Sequence, residues 1–142
     1  MIKIVSFQYS DKEKFEKSLA IRTKVFVEEQ NVDNRLEFDG KDPEATHYLA
    51  MFNNKMAGCA RWRQTEKGIK LERFAVLPEY RSKNIGREIL LAVLNDVTKM
   101  EKNIYLNSQK SAIGFYLKNG FSISGEAFFE AGIEHVKMVF LK

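Results

Sequence analysis

The segment Arg81-Ser82-Lys83-Asn84-Ile85-Gly86-Arg87 concentrates three cations, two small polar side chains and a glycine in seven positions. It follows a strand-like run that ends at Val76 and precedes an amphipathic run that begins near Ile85. The first amides of a helix lack intrahelical partners and sit at the positive end of its dipole. A phosphate answers both needs. Gly86 would let an anion approach the backbone with no Cβ in the way. Asn84 falls where a positive φ is expected, and Asn tolerates one. On these residues alone, an anion cradle and an ordinary connection with solvated cations are equal readings. The spacing matches neither the dinucleotide GxGxxG nor the nucleotidase GxxxxGK[ST], and no magnesium carboxylate can be placed. The loop therefore suits a phosphate ligand other than ATP-magnesium.

The other reactive side chains are few. Two histidines and one cysteine, His47, His135 and Cys59, cannot build a metal cluster, and no metal is expected. Cys59, between Gly58 and Ala60, reads as a small buried hydrophobe. His47, at a strand start, reads as structural. His135 is either a base suited to neutral pH or a strand residue lining a cleft. Glu72 is either a base or one half of a cross-strand ion pair. Tyr116 has the spacing of a core aromatic on an amphipathic helix.

These residues need elements to hold them. Ile2–Phe7 reads as a strand, and Ser10 with Glu13 as the capping box of a helix reaching about Val27. Residues 28–44 are acidic and irregular; a run containing Glu28, Glu29, Glu37, Asp39 and Asp42 is either a solvated loop or an attractor for a cationic amine. Thr46–Phe52 and Met56–Gln64 form a hairpin about Asn53-Asn54, and Ile69–Val76 follows as a strand. Ile85, Ile89, Val93 and Val97 mark a helix from about 85 to 99. A short strand at Ile104–Leu106, a helix from about 109 to 118 ended by Asn119-Gly120, and strands near 120–125 and 133–141 complete the chain. The alternation predicts an α/β fold with a mixed sheet and helices on both faces.

With 142 residues, two prolines and no linker-like stretch, 1–142 reads as a single domain. No apolar run approaches the ~20 residues of a membrane span, and the first residues turn polar too soon for a secretory signal. A lone cysteine fits a cytoplasmic protein. The net charge of +4 comes from 23 cations scattered among 19 anions. No basic block is interleaved with aromatics, so nucleic acid is not expected as a partner.

The loop then meets a second block. Val76-Leu-Pro-Glu-Tyr-Arg81-Ser-Lys-Asn84-Ile-Gly86 resembles the acyl-CoA pyrophosphate motif of the GNAT N-acyltransferase superfamily, [R/Q]-x-x-G-x-[G/A] after V-x-P. Ala112-Ile-Gly-Phe115-Tyr116-Leu-Lys-Asn-Gly120-Phe121 resembles its A-x-x-F-Y-x-x-x-G-F block, in the same order and spacing. Val25 to Gln30, Asp39 to Asp42, and Glu126 to Met138 resemble the ElaA-like bacterial subgroup, so the likeness spans essentially the whole chain.

The resemblance implies a GNAT-like, mostly antiparallel central sheet of about seven strands, acetyl-CoA as cosubstrate, and an N-acetyltransferase acting by direct transfer on a primary amine of a small molecule or peptide. An acyl-CoA-binding sensor of the same fold is the alternative. It implies that Phe74, Ala75 and Val76 run beside the pantetheine arm and that Ser82 to Arg87 hold the pyrophosphate with the charge of Arg81 beside it, with Ala112 and Phe115 beside the cofactor. Asn107, expected at the end of the fifth strand, is either a helix-cap or turn residue or matches a family position that bonds cofactor or a catalytic water. Tyr116 matches the general acid for the departing thiolate, and Glu72, expected to share a strand face with Phe74, matches the base. From the residues themselves, Glu29, Trp62 and His135 are candidates for the acceptor side, and Trp62, Phe128 and Phe129 are either walls of that cleft or core packing. A homodimer is a family habit. Asn84 departs from the family glycine, which bears on CoA affinity.

Overall fold

The computed structural model describes residues 1–141. Its centre is an eight-stranded sheet: β1 (Ile2–Gln8), β2 (Thr46–Phe52), β3 (Lys55–Thr65), β4 (Gly68–Val76), β5 (Ile104–Gln109), β6 (Phe121–Ile123), β7 (Phe128–Glu130) and β8 (Ile133–Phe140). The order is β1-β2-β3-β4-β5-β8-β6, with β7 also paired to β8. Only β4 and β5 run parallel; every other pairing is antiparallel. One strand more than expected forms because Phe128–Glu130 folds back on β8 across a turn in which Ala131 and Gly132 both have positive φ.

The two faces are covered by helices of different character. α3 (Ile85–Val97) buries Ile85, Ile89, Leu90, Val93 and Val97 against one face, joined by α4 (Ile113–Lys118) through Tyr116. Each such aliphatic side chain contributes roughly 1.5–3 kcal/mol. Gly58 on β3 makes the close approach possible, because a Cβ there would lie 2.9 Å from both the Ala75 oxygen and Ile89 Cδ1. The other face packs against α1 (Lys12–Arg22), through Phe15 and Ile21. No helix is long and apolar enough to cross a membrane among the described residues.

Local details differ from the sequence expectation in three places. Asp11, not Ser10, caps α1, accepting from the Lys14 amide at 3.3 Å. The first helix changes to a π-helix over Thr23–Glu29, with the Gln30 amide donating to the Val25 oxygen five residues back. Residues 28–44 are not irregular: they hold α2 (Asn34–Glu37) and a 3-10 turn at Asp42–Glu44, folded onto buried arginines. The Asn53-Asn54 hairpin forms as expected, with φ of 50° and 67°.

Candidate functional site

The site originates in a parting of strands. β4 pairs with β5 only from Ile69 to Leu71; beyond Leu106, β5 continues beside β8 alone. The edge of β4 from Glu72 to Val76 is therefore unpaired on that side, while its other side remains on β3. A bulge accentuates the divergence. Ala75 pairs with Cys59 and Glu72 with Arg61, so Arg73 and Phe74 together oppose only Ala60, and Arg73 takes φ 59°. Such an extra residue bends a strand and re-aims its side chains.

The bulge overturns one expectation. Strict alternation would put Glu72 and Phe74 on one face. Instead Phe74 and Val76 pack toward α3 with Leu71, whereas Ala75 packs toward α1 and Glu72 bonds Arg61. The cleft thus reaches both faces. Its cavity of about 660 Å³ is lined by Phe74 and Tyr116 from one side and by Glu72, Asn107 and His135 from the other. Asn107 lies within β5, opposite Lys137, and not at the strand end.

Tyr116 is 7% exposed and stands edge-on to Phe74, Phe115 and Phe121. Burial raises its pKa, so the phenol keeps its proton. His135 accepts nothing at Nδ1, since its partner there is the Ile133 carbonyl oxygen at 2.7 Å; Nδ1 must donate. In the neutral ring Nε2 is then the accepting nitrogen; it lies 4.0 Å from the Glu130 carboxylate, with Phe128 stacked on the ring. Phe129 points away, 74% exposed.

Glu72 sits among cations. Arg61 approaches to 3.2 Å, Arg63 Nε to 2.7 Å and Lys70 to 3.4 Å. Burial alone would raise its pKa, but Arg61, then the Arg63 hydrogen bond and Lys70, outweigh it and hold the carboxyl below its ordinary value. Behind it lies a closed ring of six charges of alternating sign. Arg22 bonds Glu37 and Asp42, Arg73 bonds Glu37 and Asp39, and Arg61 bonds Asp39 and Asp42. Arg22 and Arg61 are 1% and 0% exposed, which only full pairing makes tolerable. The Arg73 Nε lies 2.8 Å from Glu37 but is poorly aligned for a hydrogen bond. Within the acidic segment Glu37, Asp39 and Asp42 are matched internally and Glu29 is paired with Arg81, so these four are no open trap for a cationic amine, while Glu28 stays exposed. His47 is also structural, its Nε2 3.0 Å from the Asp42 oxygen. Burial pushes the Cys59 thiol up to about 12.

A second cavity, of about 400 Å³, opens at the start of α3. Ser82 and Asn84 both take positive φ, 66° and 63°, turning the chain into the helix. No side chain caps α3, and its first internal bond is from the Glu88 amide to Asn84. The amides of Ile85, Gly86 and Arg87 thus precede the hydrogen-bonded ladder. A Cβ on Gly86 would meet only ordinary contacts at 3.8 Å, from Phe115 and Val76, so internal packing does not require glycine there. Its missing Cβ instead keeps the cavity open. Uncapped amides, two left-handed residues and this opening fit a diphosphate.

Other residues moved from where sequence placed them. Arg81 is committed to Glu29 through two bonds of 2.7 Å and to the Val76 oxygen at 3.0 Å. Glu29 does border the larger cavity, yet its charge is already matched. The Lys83 ammonium lies over the Phe52 ring, 5.6 Å from its centroid, outside the cradle. Trp62 does not line the cleft; it packs toward α3 and donates to the Tyr48 hydroxyl at 3.0 Å. Ala112 borders the larger cavity and Phe115 the smaller. Lys118 and Asn119, one turn beyond Phe115, also line the cradle and were missed, although their helical spacing from Phe115 was visible. So were Gln30 and Gln109, joined at 2.8 Å across the cleft; residues 79 apart carry no local signal.

Comparisons with known proteins agree with this geometry. The family model of the acetyltransferase (GNAT) domain matches residues 8–142. The uncharacterized N-acetyltransferase YjcF of Bacillus subtilis is 34% identical over 91% of this chain and 94% of its own length. The crystal structure of Escherichia coli ElaA superposes with a TM-score of 0.89 at 25% identity, covering 99% of this chain and all of that one. A GNAT acetyltransferase of Elizabethkingia anophelis with acetyl-CoA bound shares the fold, with a TM-score of 0.67 at 20% identity over 97% and 94% of the two chains. With the parted strands, the bulge and the uncapped helix start already in place, these likenesses establish that the chain belongs to the GNAT family of acyl-CoA-dependent N-acetyltransferases.

Proposed function

We propose that this chain moves the acetyl group of acetyl-CoA directly onto a primary amine in the cleft between β4 and β5. One observation carries the reading. Val76 and Arg81 border both cavities, so the diphosphate cradle at α3 and the unpaired edge of β4 form one path. When bound, acetyl-CoA supplies an activated acyl carbon and a thiolate leaving group. The amides of Ile85, Gly86 and Arg87 hold its diphosphate, and Arg87 and Lys118 add charge beside them. The unpaired backbone from Phe74 to Val76 orients the thioester and receives negative charge that develops on its oxygen.

Proton traffic falls to two side chains. The acceptor ammonium gives one proton to His135 Nε2, and the C–N bond forms as the C–S bond breaks. The departing sulfur takes the Tyr116 hydroxyl proton, which the second nitrogen proton restores. Glu72, held ionised by three cations and depressed in pKa, is the weaker base; its carboxylate serves better to fix Arg63 and Lys70.

Calorimetry with acetyl-CoA and a thiol-release assay over an amine panel test the proposal. Tyr116→Phe should lower kcat about 10²–10⁴-fold with the KM for acetyl-CoA held. His135→Gln should cost more than Glu72→Gln. Binding without thiol release on any amine would make the chain an acyl-CoA sensor, and no binding would remove both readings.

A further inference from the structure

Outside the six-charge ring, the residues lining the acceptor end of the cleft include two cations, Arg63 and Lys70, for one carboxylate, Glu72. In the ring, three guanidinium groups meet three carboxylates, so the ring is neutral. Outside it, Arg63 and Lys70 share Glu72 with Arg61. The one other anion there, Glu44, is 3.6 Å from Arg63, more than half exposed, and outside the cavity lining. Arg63 and Lys70 stand directly opposite each other in the β3–β4 register, an arrangement of like charges that destabilises a sheet. Lys70 is in turn opposite Tyr105 on β5, and the Lys137 ammonium lies 5.1 Å from the centre of that ring. The heads of Arg63 and Lys70 reach the cavity, with side chains 16% and 19% exposed, whereas Glu72 beneath them is 6% exposed. The opposite wall has a different character, with His135 Nε2 and the Glu130 carboxylate.

We propose that the acceptor is an amine that also bears an anionic group, a carboxylate or a phosphate, held by Lys70 and Arg63 while the nitrogen faces His135. This rests on the transfer reading above. Phe74 stands four positions after Lys70 on β4, at most roughly 13 Å of strand at ~3.3 Å per residue, and the bulge at Arg73 shortens it. The lysine stem shortens that span, so amine and anion stand on the order of 10 Å apart. A short α-amino acid is too small to satisfy both ends.

Four acceptors of similar length distinguish the possibilities: aminohexanoate, aminohexyl phosphate, hexylamine and diaminohexane, each assayed for thiol release with acetyl-CoA. The wild type should use an anionic acceptor with kcat/KM about tenfold or more above hexylamine, as one charge-assisted bond allows. The ratio of the carboxylate to the phosphate identifies the anion. Lys70→Gln and Arg63→Gln should each shrink that preference, and Lys70→Glu should turn it toward diaminohexane. Rising salt should shrink the wild-type preference as well, a readout independent of how well the variants fold. Equal or better use of hexylamine or diaminohexane by wild type would overturn the proposal, as would a preference unmoved by Lys70→Gln. No turnover of any of the four, with acetyl-CoA bound, would count instead against the transfer reading on which this rests.

Discussion

Replacing Arg22 by Met tests whether the six-charge ring is one coupled unit. Arg22 is 1% exposed and bonds Glu37 through Nε, Asp42 through Nη1 at 2.8 Å, and the Glu37 carbonyl at 3.3 Å. Removing one partner of a buried pair costs about 3–5 kcal/mol, because the other charge is left without compensation. That is a large share of the ~5–15 kcal/mol that holds a domain together. At about 4 °C per kcal/mol for a chain of this size, Tm should fall by roughly 10–20 °C. The ring makes a further demand. Removing the adjacent pair, by Arg22→Met with Glu37→Leu, leaves Arg73, Asp39, Arg61 and Asp42 as a balanced chain of two charges of each sign. The double variant should therefore be more stable than Arg22→Met alone, with about 1–3 kcal/mol of favourable coupling. Arg22→Met with Arg61→Met should behave oppositely and exceed additivity, since Asp42 loses both partners. Urea unfolding of the wild type, the three single variants and the two double variants, followed by circular dichroism, measures these terms. If the adjacent pair costs as much as the two single changes summed, the ring is six separate contacts and the argument fails.

Two further predictions concern the cradle and pH. Asn84→Gly should keep or tighten CoA binding in calorimetry, because φ 63° is easier for glycine and Asn84 makes no capping bond; a large loss would mean that the Asn84 side chain itself holds the cofactor. Asn84→Val, by contrast, should destabilise the fold by about 1–2 kcal/mol. Stability should decline in two stages on acidification. Burial lowers the pKa of His47, so below an unfolded value of ~6.5 the unfolded chain binds the proton first and a shallow loss begins. Burial also raises Asp39 and Asp42, but Arg61 pulls Asp39 down to about 2 and Arg22 with Arg61 lowers Asp42; Glu72 is lowered likewise. Their contributions are present above ~4 and are lost as pH falls through the folded values. Glu37, raised by burial, offsets part of this. Urea midpoints from pH 7 to 2 should bend at both points, and a curve flat down to pH 3 would contradict the depressed carboxylates.

The helices and strands whose apolar residues recur at a fixed period were legible in the sequence. Ile85, Ile89, Val93 and Val97 announced α3, and Asn53-Asn54 announced its hairpin, because each signal is complete within a few residues. The turn into α3 was legible for the same reason: Asn84 was expected to take a positive φ next to the helix it starts, and does, whereas the second reversal at Ser82 had no signal. What escaped was non-local. Glu72 was assigned a face by counting alternation, and the bulge at Arg73 reverses the count within one residue. Glu29, Glu37, Asp39 and Asp42 looked alike as a charge run, yet each is defined by an arginine 15 to 52 positions away. Trp62 looked like a cleft wall and belongs to the opposite face for want of any signal saying which face β3 turns inward.

The bulge and the ring explain each other. A residue with a side chain at φ 59° costs about 1–2 kcal/mol in isolation, and the bulge forfeits sheet pairing at Phe74 as well. Neither cost would persist in a strand free to relax. Arg73 is not free: its guanidinium meets Glu37 and Asp39 and donates to the carbonyls of Leu36 and Glu37, tying the strained residue to α2. Through Arg22 and Arg61 the same ring binds α1 and β3. The strain on β4 is thus held from three sides by charges that cannot be released singly. The consequence is local and chemical: the backbone of Phe74 to Val76 stays turned toward the gap beside β5 and does not zip onto it. If that is so, Arg73→Gly, which relieves the strained φ while cutting the ties, should lower kcat by more than it raises the KM for acetyl-CoA. A loss confined to KM would mean that the ring merely supports the fold, and a loss confined to Tm would mean that the bulge holds without it.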